Sequence, residues 1–195
     1  VWWSLANEYD LLRDKTIADW ERYASIILEK DPYKHLRGIH HCMIPYDHNR
    51  PWITHVSYQR IDLYKCAEEV DQYRQKWHKP VVLDEIAYEG NIDQGWGNIS
   101  GEEMVRRFWE CALRGGHPGH GETYDVPEAN GRLWWSHGGT LRGESPARIR
   151  FLHQILEETP GPGLTFQPLS WDDTCGVVDG TRGPARYLID YFGFG

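Results

Sequence analysis

Two glutamates stand at points where apolar runs of the sequence give way to polar loops. Glu85 lies near the end of the run 80–86, and Glu8 ends the run 1–8. An unbroken Val/Leu run behind a proline is typical of a strand that is buried on both faces of a parallel sheet. Hydrolysis of a glycosidic bond uses two carboxyl groups that flank the scissile bond. The two strand-end glutamates therefore predict a glycoside hydrolase site formed by Glu8 and Glu85.

Each glutamate also has a purely structural interpretation, in which it caps a helix or pairs with an arginine at the rim of the sheet. The catalytic interpretation is favoured because α/β barrels carry their catalytic groups at the carboxyl ends of strands. Asn7 directly precedes Glu8 and adds a second polar side chain to the same strand end. A carboxylate separation of about 5–5.5 Å would indicate retention of the anomeric configuration, and about 6.5–9.5 Å would indicate inversion. Neither mechanism needs a cofactor.

Apolar periodicity divides most of the chain into alternating strands and helices. The predicted strands span 1–8, 36–42, 53–59, 80–86 and 117–124, and the predicted helices span 14–30, 62–77, 100–114 and 145–158. Ser100 and Glu103 have the spacing of a capping box at the start of one helix. The alternation predicts an α/β fold with parallel strands, either an open doubly wound sheet or five consecutive units of an eight-unit barrel. Because no glycine-rich phosphate loop follows the first strand, a nucleotide-binding sheet is disfavoured.

The C-terminal part of the sequence changes character. The Pro/Gly run 160–163 predicts a linker, and residues 164–195 alternate weakly between turn signals. We therefore predict a partial barrel over 1–159, followed by a linker and the beginning of a β-rich domain over 160–195. Since the first residue is not methionine and already lies within an apolar run, we expect the chain to be a piece of a longer protein.

Composition argues against several classes of partner. A formal net charge of −8 and a pI near 5.7 disfavour nucleic acid. No apolar stretch approaches the about 18–20 residues of a membrane span. The four cysteines lack CxxC spacing, which predicts reduced, mostly buried thiols and slightly favours a cytoplasmic location over secretion. Ten tryptophans and eleven tyrosines provide flat faces that suit stacking on sugar rings as well as core packing.

Three segments, in order along the chain, resemble one family of enzymes. Residues 3–8 resemble the Asn-Glu acid/base motif on the fourth strand of the large clan of retaining (β/α)8 glycoside hydrolases, and residues 83–85 resemble its nucleophile strand, the seventh. More closely, residues 4–10, residues 84–90 and the Trp-Trp-Ser-His-Gly-Gly segment 134–139 together resemble the apiosidase-like barrels that precede a small β domain. The resemblance covers about residues 1–158 and implies that the chain contains strands four to eight of a TIM (β/α)8 barrel.

The resemblance also assigns roles to residues. It implies that Glu8 is the acid/base, that Glu85 is the nucleophile, and that Asn7 donates a hydrogen bond to the sugar hydroxyl next to the reacting carbon. It places a His or Tyr that holds the nucleophile on the strand carrying His55 and Tyr58, which strand alternation puts on opposite faces. We therefore expect only one of these two in the site, and the alternative place for Tyr58 is the core. The implied substrate is an oligo- or polysaccharide such as an apiose-containing or other plant-wall glycan.

The resemblance leaves part of the barrel unaccounted for. Its first three βα units have no counterpart in this sequence, and five strands alone would leave two open sheet edges. We expect the missing barrel half to come from another chain or from an N-terminal part of the same protein. If another chain supplies it, the protein is an oligomer.

Further side chains are candidates for contacts with a substrate. His40 on the second strand and His48 in the loop after it could bind sugar hydroxyls. Trp96, Trp134 and Trp135 lie in predicted mouth-side loops, where an indole could stack on a sugar face or simply pack over the rim. Of the last two, we place Trp135 in the site.

A looser polar group surrounds the last predicted strand. We expect His120 and Glu122 to contact substrate, and Glu122 is the rival catalytic carboxylate if Glu85 points away. Zinc takes three or four N, O or S ligands, so a metal-dependent hydrolase built on His117, His120 and Glu122 is one alternative function. The spacing is loose and no HExxH motif accompanies it, so no metal is predicted. A non-catalytic carbohydrate-binding barrel that keeps the aromatic cleft is the other alternative.

Overall fold

A computed structural model of the chain describes residues 2–60, 62, 67–125 and 140–158, together with the backbone of strands at 166–168, 175–182 and 185–192. The predicted linker 160–163 and the Trp-Trp segment 134–139 lie outside these residues.

Parallel strands run through the first two thirds of the chain. Strands β1 and β2 pair in parallel, and strands β3, β4, β5 and β7 form a second parallel sheet in that order. Strands β6 and β8 form a short parallel pair. The bounds are β1 Trp2–Ser4, β2 Leu36–Gly38, β3 His40–His41, β4 Val56–Gln59, β5 Val81–Glu85, β6 Glu89–Gly90, β7 His117–Pro118 and β8 Glu122–Thr123.

The order of these strands follows the chain. A single residue, Ile39, separates β2 from β3, so β1, β2/β3, β4, β5 and β7 are successive neighbours. A doubly wound sheet instead reverses its strand order at a switch point. The fold is therefore a mixed α/β fold with parallel sheets, as predicted, and its strand order is the one that consecutive barrel strands have. The closed barrel itself stays a prediction.

The helices are α1 Ile17–Lys30, α2 Val70–Trp77, α3 Gly101–Leu113 and α4 Ser145–Glu158. Helix α1 begins with a complete capping box, because Thr16 N donates to Asp19 Oδ2 at 2.8 Å and the Thr16 hydroxyl accepts from Asp19 N. Helix α3 has half of the predicted box. The Ser100 hydroxyl accepts from Glu103 N at 3.1 Å, but the Glu103 carboxylate binds arginines of its own helix instead.

Two predicted boundaries differ from the structure for identifiable reasons. The strand predicted from residue 53 begins at Val56, since Ile53 N donates to Arg50 O and closes a turn there. The strand predicted over 117–124 is divided into β7 and β8 around Gly119, whose N–H donates to Leu83 O at 2.8 Å. A side chain at Gly119 would collide with the backbone of Asp84, so this close approach to the end of β5 requires glycine.

One face of the β4–β5 pair packs against helices, and this decides which side chains are left for a site. Val56, Tyr58, Val81 and Leu83 are buried in a core that also contains apolar residues of α2, α3 and α4. Because strand side chains alternate between faces, the intervening Ser57, Gln59 and Asp84 lie on the other side. The core residues from the helices are Val70, Trp77, Met104, Phe108, Cys111, Ala112 and Leu152.

A second core surrounds α1 and contains Tyr9, Trp20, Ala24, Ile39, Tyr46, Trp52 and Ile53. Further along the chain, β9 Phe166–Pro168, β10 Cys175–Arg182 and β11 Ala185–Phe192 form an antiparallel sheet in the order β11-β10-β9. Within the ranges described here, no helix has the length and apolar character needed to cross a membrane.

Candidate active site

The carboxyl ends of β3, β4 and β5 bring a group of polar side chains together. Tyr58 pairs with Leu83 and Gln59 pairs with Glu85, so β5 contains one extra residue, Asp84, at this point. Strict alternation would place Asp84 and Glu85 on opposite faces. The irregularity re-aims them, as bulges do, and both carboxylates lie within 4 Å of His40 Nδ1.

Glu85 is held at one carboxylate oxygen and partly removed from water. The Tyr88 hydroxyl donates to its Oε2 at 2.6 Å, and His40 Nδ1 lies 3.7 Å from its Oε1. Burial raises the pKa of Glu85, the hydrogen bond from Tyr88 opposes this rise, and the negative charge of Glu8 adds to it. The negative charge of Glu8 therefore acts on the Glu85 carboxylate.

Glu8 is positioned by an unusual backbone turn at the end of β1. His40 N donates to Ala6 O at 3.1 Å, so pairing with β3 continues to the residue before Asn7. Glu8 then adopts the left-handed conformation with φ of 49°, which for a residue other than glycine costs on the order of 1–3 kcal/mol and is retained where the surroundings impose it. Asn7 is exposed beside it.

Asp10 ties this turn to the end of β3. Its carboxylate accepts hydrogen bonds from the backbone N–H groups of Cys42, Met43 and Ile44 at 2.8, 2.7 and 2.9 Å. These bonds overcome the effect of burial and lower the pKa of Asp10. Glu8 is thus fixed relative to β3, and it also acts electrostatically on His40 and Cys42.

A polar chain lies behind Glu85. The Ser57 hydroxyl donates to Asp84 Oδ2, and the same oxygen lies 3.8 Å from His40 Nδ1. Burial raises the pKa of Asp84, and Ser57 and His40 oppose that rise. His40 is only 3% exposed, so the structure buries it against the two carboxylates.

Two of the other predicted residues lie on the opposite face of the sheet. Tyr58 is fully buried and stacks on His41, with ring centroids 5.7 Å apart, on the side of α2. His48 is completely buried against Trp77, and burial lowers its pKa to about 3. Neither ring nitrogen of His48 finds a hydrogen-bond partner among the described residues. The structure therefore brings neither Tyr58 nor His48 to Glu85.

His55 lies at the other end of β4. Its ring packs on Trp2 with centroids 5.3 Å apart, and its Nδ1 lies 3.0 Å from the Thr54 hydroxyl. The hydroxyl that hydrogen-bonds Glu85 thus belongs to Tyr88, three residues further along the chain, and not to the β4 strand on which a His or Tyr was expected.

Trp96 lies next to Tyr88. Its ring makes an edge-to-face contact with Tyr88, with centroids 5.8 Å apart, and its carbonyl accepts from Tyr88 N at 2.7 Å. Trp96 is half-buried, and it helps to position Tyr88 while keeping part of its indole accessible. Trp135, the other tryptophan predicted for the site, lies outside the described residues.

The polar group predicted around the last strand forms a separate cluster with a different membership. Glu89, His120 and Glu122 have potential metal-ligating atoms within 4.8 Å of one another. His117 is exposed on β7 and its nearest charged neighbours include His55 and Arg74. The alternative set of His117, His120 and Glu122 is therefore not the set that the described structure brings together.

The two carboxylates of this cluster already bind backbone groups at the start of α4. Glu122 accepts from Arg142 N at 2.7 Å and from Gly143 N at 3.1 Å. Glu89 accepts from Glu144 N at 2.7 Å and from both the N–H and the hydroxyl of Ser145. Carboxylates are stabilising at a helix amino terminus, so the donor set fits a helix anchor better than a metal centre.

Three residues of the site were not predicted as participants. Tyr88 follows β5, and its spacing of three residues from Glu85 is not a strand period that would have indicated a contact. Asp84 and Ser57 were missed because alternation separates Asp84 from Glu85, and a one-residue strand irregularity leaves no mark in the sequence.

Comparison with known proteins gives one structural relative. No protein-family model matches the chain, and a search of curated proteins gives no match. A crystal structure described as a putative glycoside hydrolase from Bacteroides vulgatus ATCC 8482 matches with a TM-score of 0.81 and 37% sequence identity. The match covers 94% of this chain and 35% of that chain, so the present chain spans about a third of its relative. In fold and in sequence, the chain is similar to part of a glycoside hydrolase structure.

Proposed function

We propose that the protein hydrolyses glycosidic bonds of an oligo- or polysaccharide with retention of configuration. The observation that supports this proposal is that Glu85 is partly buried, is held by Tyr88 and is within reach of the charge of Glu8. Two carboxyl groups at one site are what this reaction requires. The similarity to a structure described as a glycoside hydrolase supports the same chemistry.

The reaction has two steps, with Glu85 as nucleophile and Glu8 as acid/base. In the first, a Glu85 carboxylate oxygen forms a bond to the anomeric carbon while the bond to the leaving oxygen breaks and Glu8 transfers its proton to that oxygen. In the second, Glu8 takes a proton from water, the water oxygen bonds to the anomeric carbon, and Glu85 leaves as a carboxylate. The Tyr88 hydrogen bond favours the carboxylate form of Glu85 at the start and at the end of the cycle.

We further propose that the parallel strands are strands four to eight of a (β/α)8 barrel of the apiosidase-like type. The order of β1, β2/β3, β4, β5 and β7 supports this, as does the placement of both glutamates at carboxyl ends of strands. The remaining barrel strands then come from another segment or another chain. Plant-wall glycans are the proposed substrate class.

Turnover of aryl glycosides tests the function. The protein is assayed with a panel of 4-nitrophenyl glycosides, and the anomer released first is identified by NMR; release of the retained anomer supports the proposal, and release of the inverted anomer refutes the double displacement. Glu85→Gln is expected to abolish turnover of every substrate in the panel.

A change of leaving group separates the roles of the two glutamates. Glu8→Gln is expected to lower kcat/KM for 4-nitrophenyl glycosides by about 10²–10⁴-fold, the usual contribution of general acid catalysis. For 2,4-dinitrophenyl glycosides, whose leaving group needs no proton, the first step is expected to survive in Glu8→Gln as a burst of dinitrophenol. Equal loss with both leaving groups would contradict the acid/base role of Glu8.

The two alternative functions give different results in the same assays. A non-catalytic carbohydrate-binding barrel would show no turnover and would keep its sugar binding in Glu8→Gln and Glu85→Gln. A metal-dependent hydrolase would lose activity with chelator and recover it on addition of metal ion.

A further inference from the structure

Glu85 lies between two side chains, and only one of them has a role in the proposed mechanism so far. Tyr88 holds Oε2, while His40 Nδ1 faces Oε1 at 3.7 Å and Asp84 Oδ2 at 3.8 Å. We propose that His40 is the positioning residue of Glu85, with one Nδ1–H shared between the carboxylates of Asp84 and Glu85. This inference rests on the proposed glycosidase function.

The surroundings of His40 determine which ring nitrogen carries the proton. Burial lowers the pKa of His40, although Asp84, Glu8 and Asp10 oppose this effect, so the neutral imidazole has a single N–H. The atoms that face Nδ1 are carboxylate oxygens of Asp84 and Glu85. Because ionised carboxylates only accept hydrogen bonds, the proton belongs on Nδ1.

The second ring nitrogen also matters for this assignment. His40 Nε2 and Gln59 Oε1 are both buried without a hydrogen bond in the described part of the chain, and Gln59 is close enough to His40 to affect its pKa. Gln59 Nε2 points instead to Cys42 Sγ, 2.9 Å away. The two ends of a glutamine amide have nearly the same shape, and their assignment follows from the hydrogen-bond network.

In the proposed arrangement the two ends of the Gln59 amide are exchanged. Its N–H would then donate to His40 Nε2, and its oxygen would accept from the Cys42 thiol. With Nε2 as acceptor, Nδ1–H is directed at the two carboxylates. Cys42, Gln59 and His40 would then form one chain of hydrogen bonds that ends on Asp84 and Glu85.

This arrangement would explain how two adjacent, partly buried carboxyl groups can coexist near Glu8. Asp84 is anchored by Ser57, and the Nδ1–H dipole reduces its repulsion with Glu85. At 3.7 Å the contact with Glu85 is longer than a hydrogen bond, but catalytic hydrogen bonds are often long in the free enzyme and shorten when substrate binds. When Glu85 becomes an ester and loses its charge, the Nδ1–H is free to bond Asp84 alone.

His40 does not touch substrate in this role, since it is 3% exposed and lies behind Glu85. Its effect should therefore fall on the ionisation of Glu85 and on kcat, and not on the binding of sugar. This distinguishes it from the substrate-binding role predicted for His40 from sequence.

The kinetic test compares two substitutions at one position. His40→Leu removes the donor, and His40→Gln keeps an N–H that can reach a carboxylate. With the 4-nitrophenyl glycoside that the protein hydrolyses fastest, His40→Leu is expected to lower kcat by about 10- to 100-fold, the range expected for a hydrogen bond to a charged group. KM should stay within about twofold, and the acidic limb of the pH profile of kcat/KM should move upward by about one pH unit.

His40→Gln should recover part of the kcat and of the limb position, and His153→Gln on the exposed face of α4 is the matched control. The proposal is overturned if the acidic limb does not move and His40→Gln is no better than His40→Leu. A rise in KM at constant kcat would also overturn it, because that result indicates direct contact with substrate.

A second measurement needs neither a variant nor turnover. Nitrogen-15 NMR of the imidazole in the unmodified protein reports which ring nitrogen is protonated, and His40→Gln assigns the signal. A proton on Nδ1 supports the proposal, and a proton on Nε2 alone overturns it. If the protein hydrolyses none of the glycosides, the proposed function fails, but the state of His40 is still read from this spectrum.

Discussion

The chain contains two clusters in which glutamates meet a histidine beside the ends of parallel strands, and they differ in how their carboxylates are used. Glu85 accepts from one hydroxyl and faces His40, and its pKa is raised by burial. Glu89 is also buried, but hydrogen bonds from Ser145 and Glu144 outweigh the burial and lower its pKa. Similar residue types therefore have opposite electrostatic consequences.

The difference separates a chemical use of a carboxylate from a structural one. The oxygens of Glu89 and Glu122 accept hydrogen bonds from backbone N–H groups at the start of α4. These carboxylates therefore stabilise the fold. Glu85 is desolvated without a comparable set of donors, and such a group can change its charge or form a bond when a ligand arrives. We therefore expect substitutions in the two clusters to affect different properties.

The largest expected effect is the loss of activity in Glu85→Gln. Without the nucleophile, kcat on 4-nitrophenyl glycosides should fall by at least about 10⁴-fold, as for removal of other nucleophiles. The midpoint of thermal unfolding at pH 7 should be unchanged or raised, because a partly buried charge is removed. Glu29→Gln on the surface of α1 is the control for both readouts. Retention of a tenth of the activity would remove Glu85 from the mechanism.

The next effect is a loss of stability in Glu89→Gln. Glutamine cannot accept the full set of hydrogen bonds from Glu144, Ser145 and Tyr124, and the free energy of unfolding should fall by about 2–4 kcal/mol. Urea denaturation followed by tryptophan fluorescence measures this. Glu102→Gln, an exposed change on the neighbouring α3, should alter stability by less than about 0.5 kcal/mol. If Glu89→Gln were equally neutral, the anchor interpretation of this cluster would fail.

A smaller effect is the opposite pH dependence of these two variants. The folded pKa of Glu85 is raised above its ordinary value of 4.5, so its ionisation costs stability at neutral pH. Glu85→Gln should therefore gain stability at pH 7 and lose that advantage as the pH falls through the raised pKa toward about 4.5. The folded pKa of Glu89 is lowered, so its contribution is present above about 4.5 and disappears as the pH falls further. Unfolding midpoints of both variants and the unmodified protein between pH 7 and pH 3.5 test the signs. Parallel curves for the two variants would contradict the comparison.

The smallest expected effect is that of a chelator. Because backbone donors engage Glu89 and Glu122, dialysis against EDTA should change kcat/KM and the unfolding midpoint by no more than the experimental error. His120→Ala should leave the chelator response unaltered. A loss of activity with EDTA that zinc or manganese restores would instead show a working metal site at Glu89, His120 and Glu122.

Periodic features of the fold could be predicted from the sequence because they are local. The helices at 17–30, 101–113 and 145–158 and the strand at 81–85 lie within a few residues of their predicted bounds. Helix α2 begins at Val70, eight residues later than predicted, since an apolar period does not reveal where a helix begins without a capping signal. The mixed α/β class with parallel strands follows from the alternation of these elements.

The membership of the site was predicted less completely. Glu8 and Glu85 were predicted because polar residues at the carboxyl ends of parallel strands are where α/β barrels carry their catalytic groups. Tyr58 was placed in the site from the family resemblance and His48 from its residue type. The structure packs Tyr58 against Tyr73 of α2 because side chains alternate along β4, and it packs His48, from the loop after β3, against Trp77 of α2.

By itself, then, the sequence determined the elements, their order, and the two strand ends at which carboxylates collect. Only the tertiary structure decided that Asp84 turns toward His40, that Tyr88 binds Glu85, and that Glu89 binds the start of α4. The physical reason is the distance along the chain over which each feature depends on other residues. Periodicity records which face of an element is apolar over a few residues, whereas these contacts join strand ends, a one-residue irregularity and a helix start that meet only when the chain is packed.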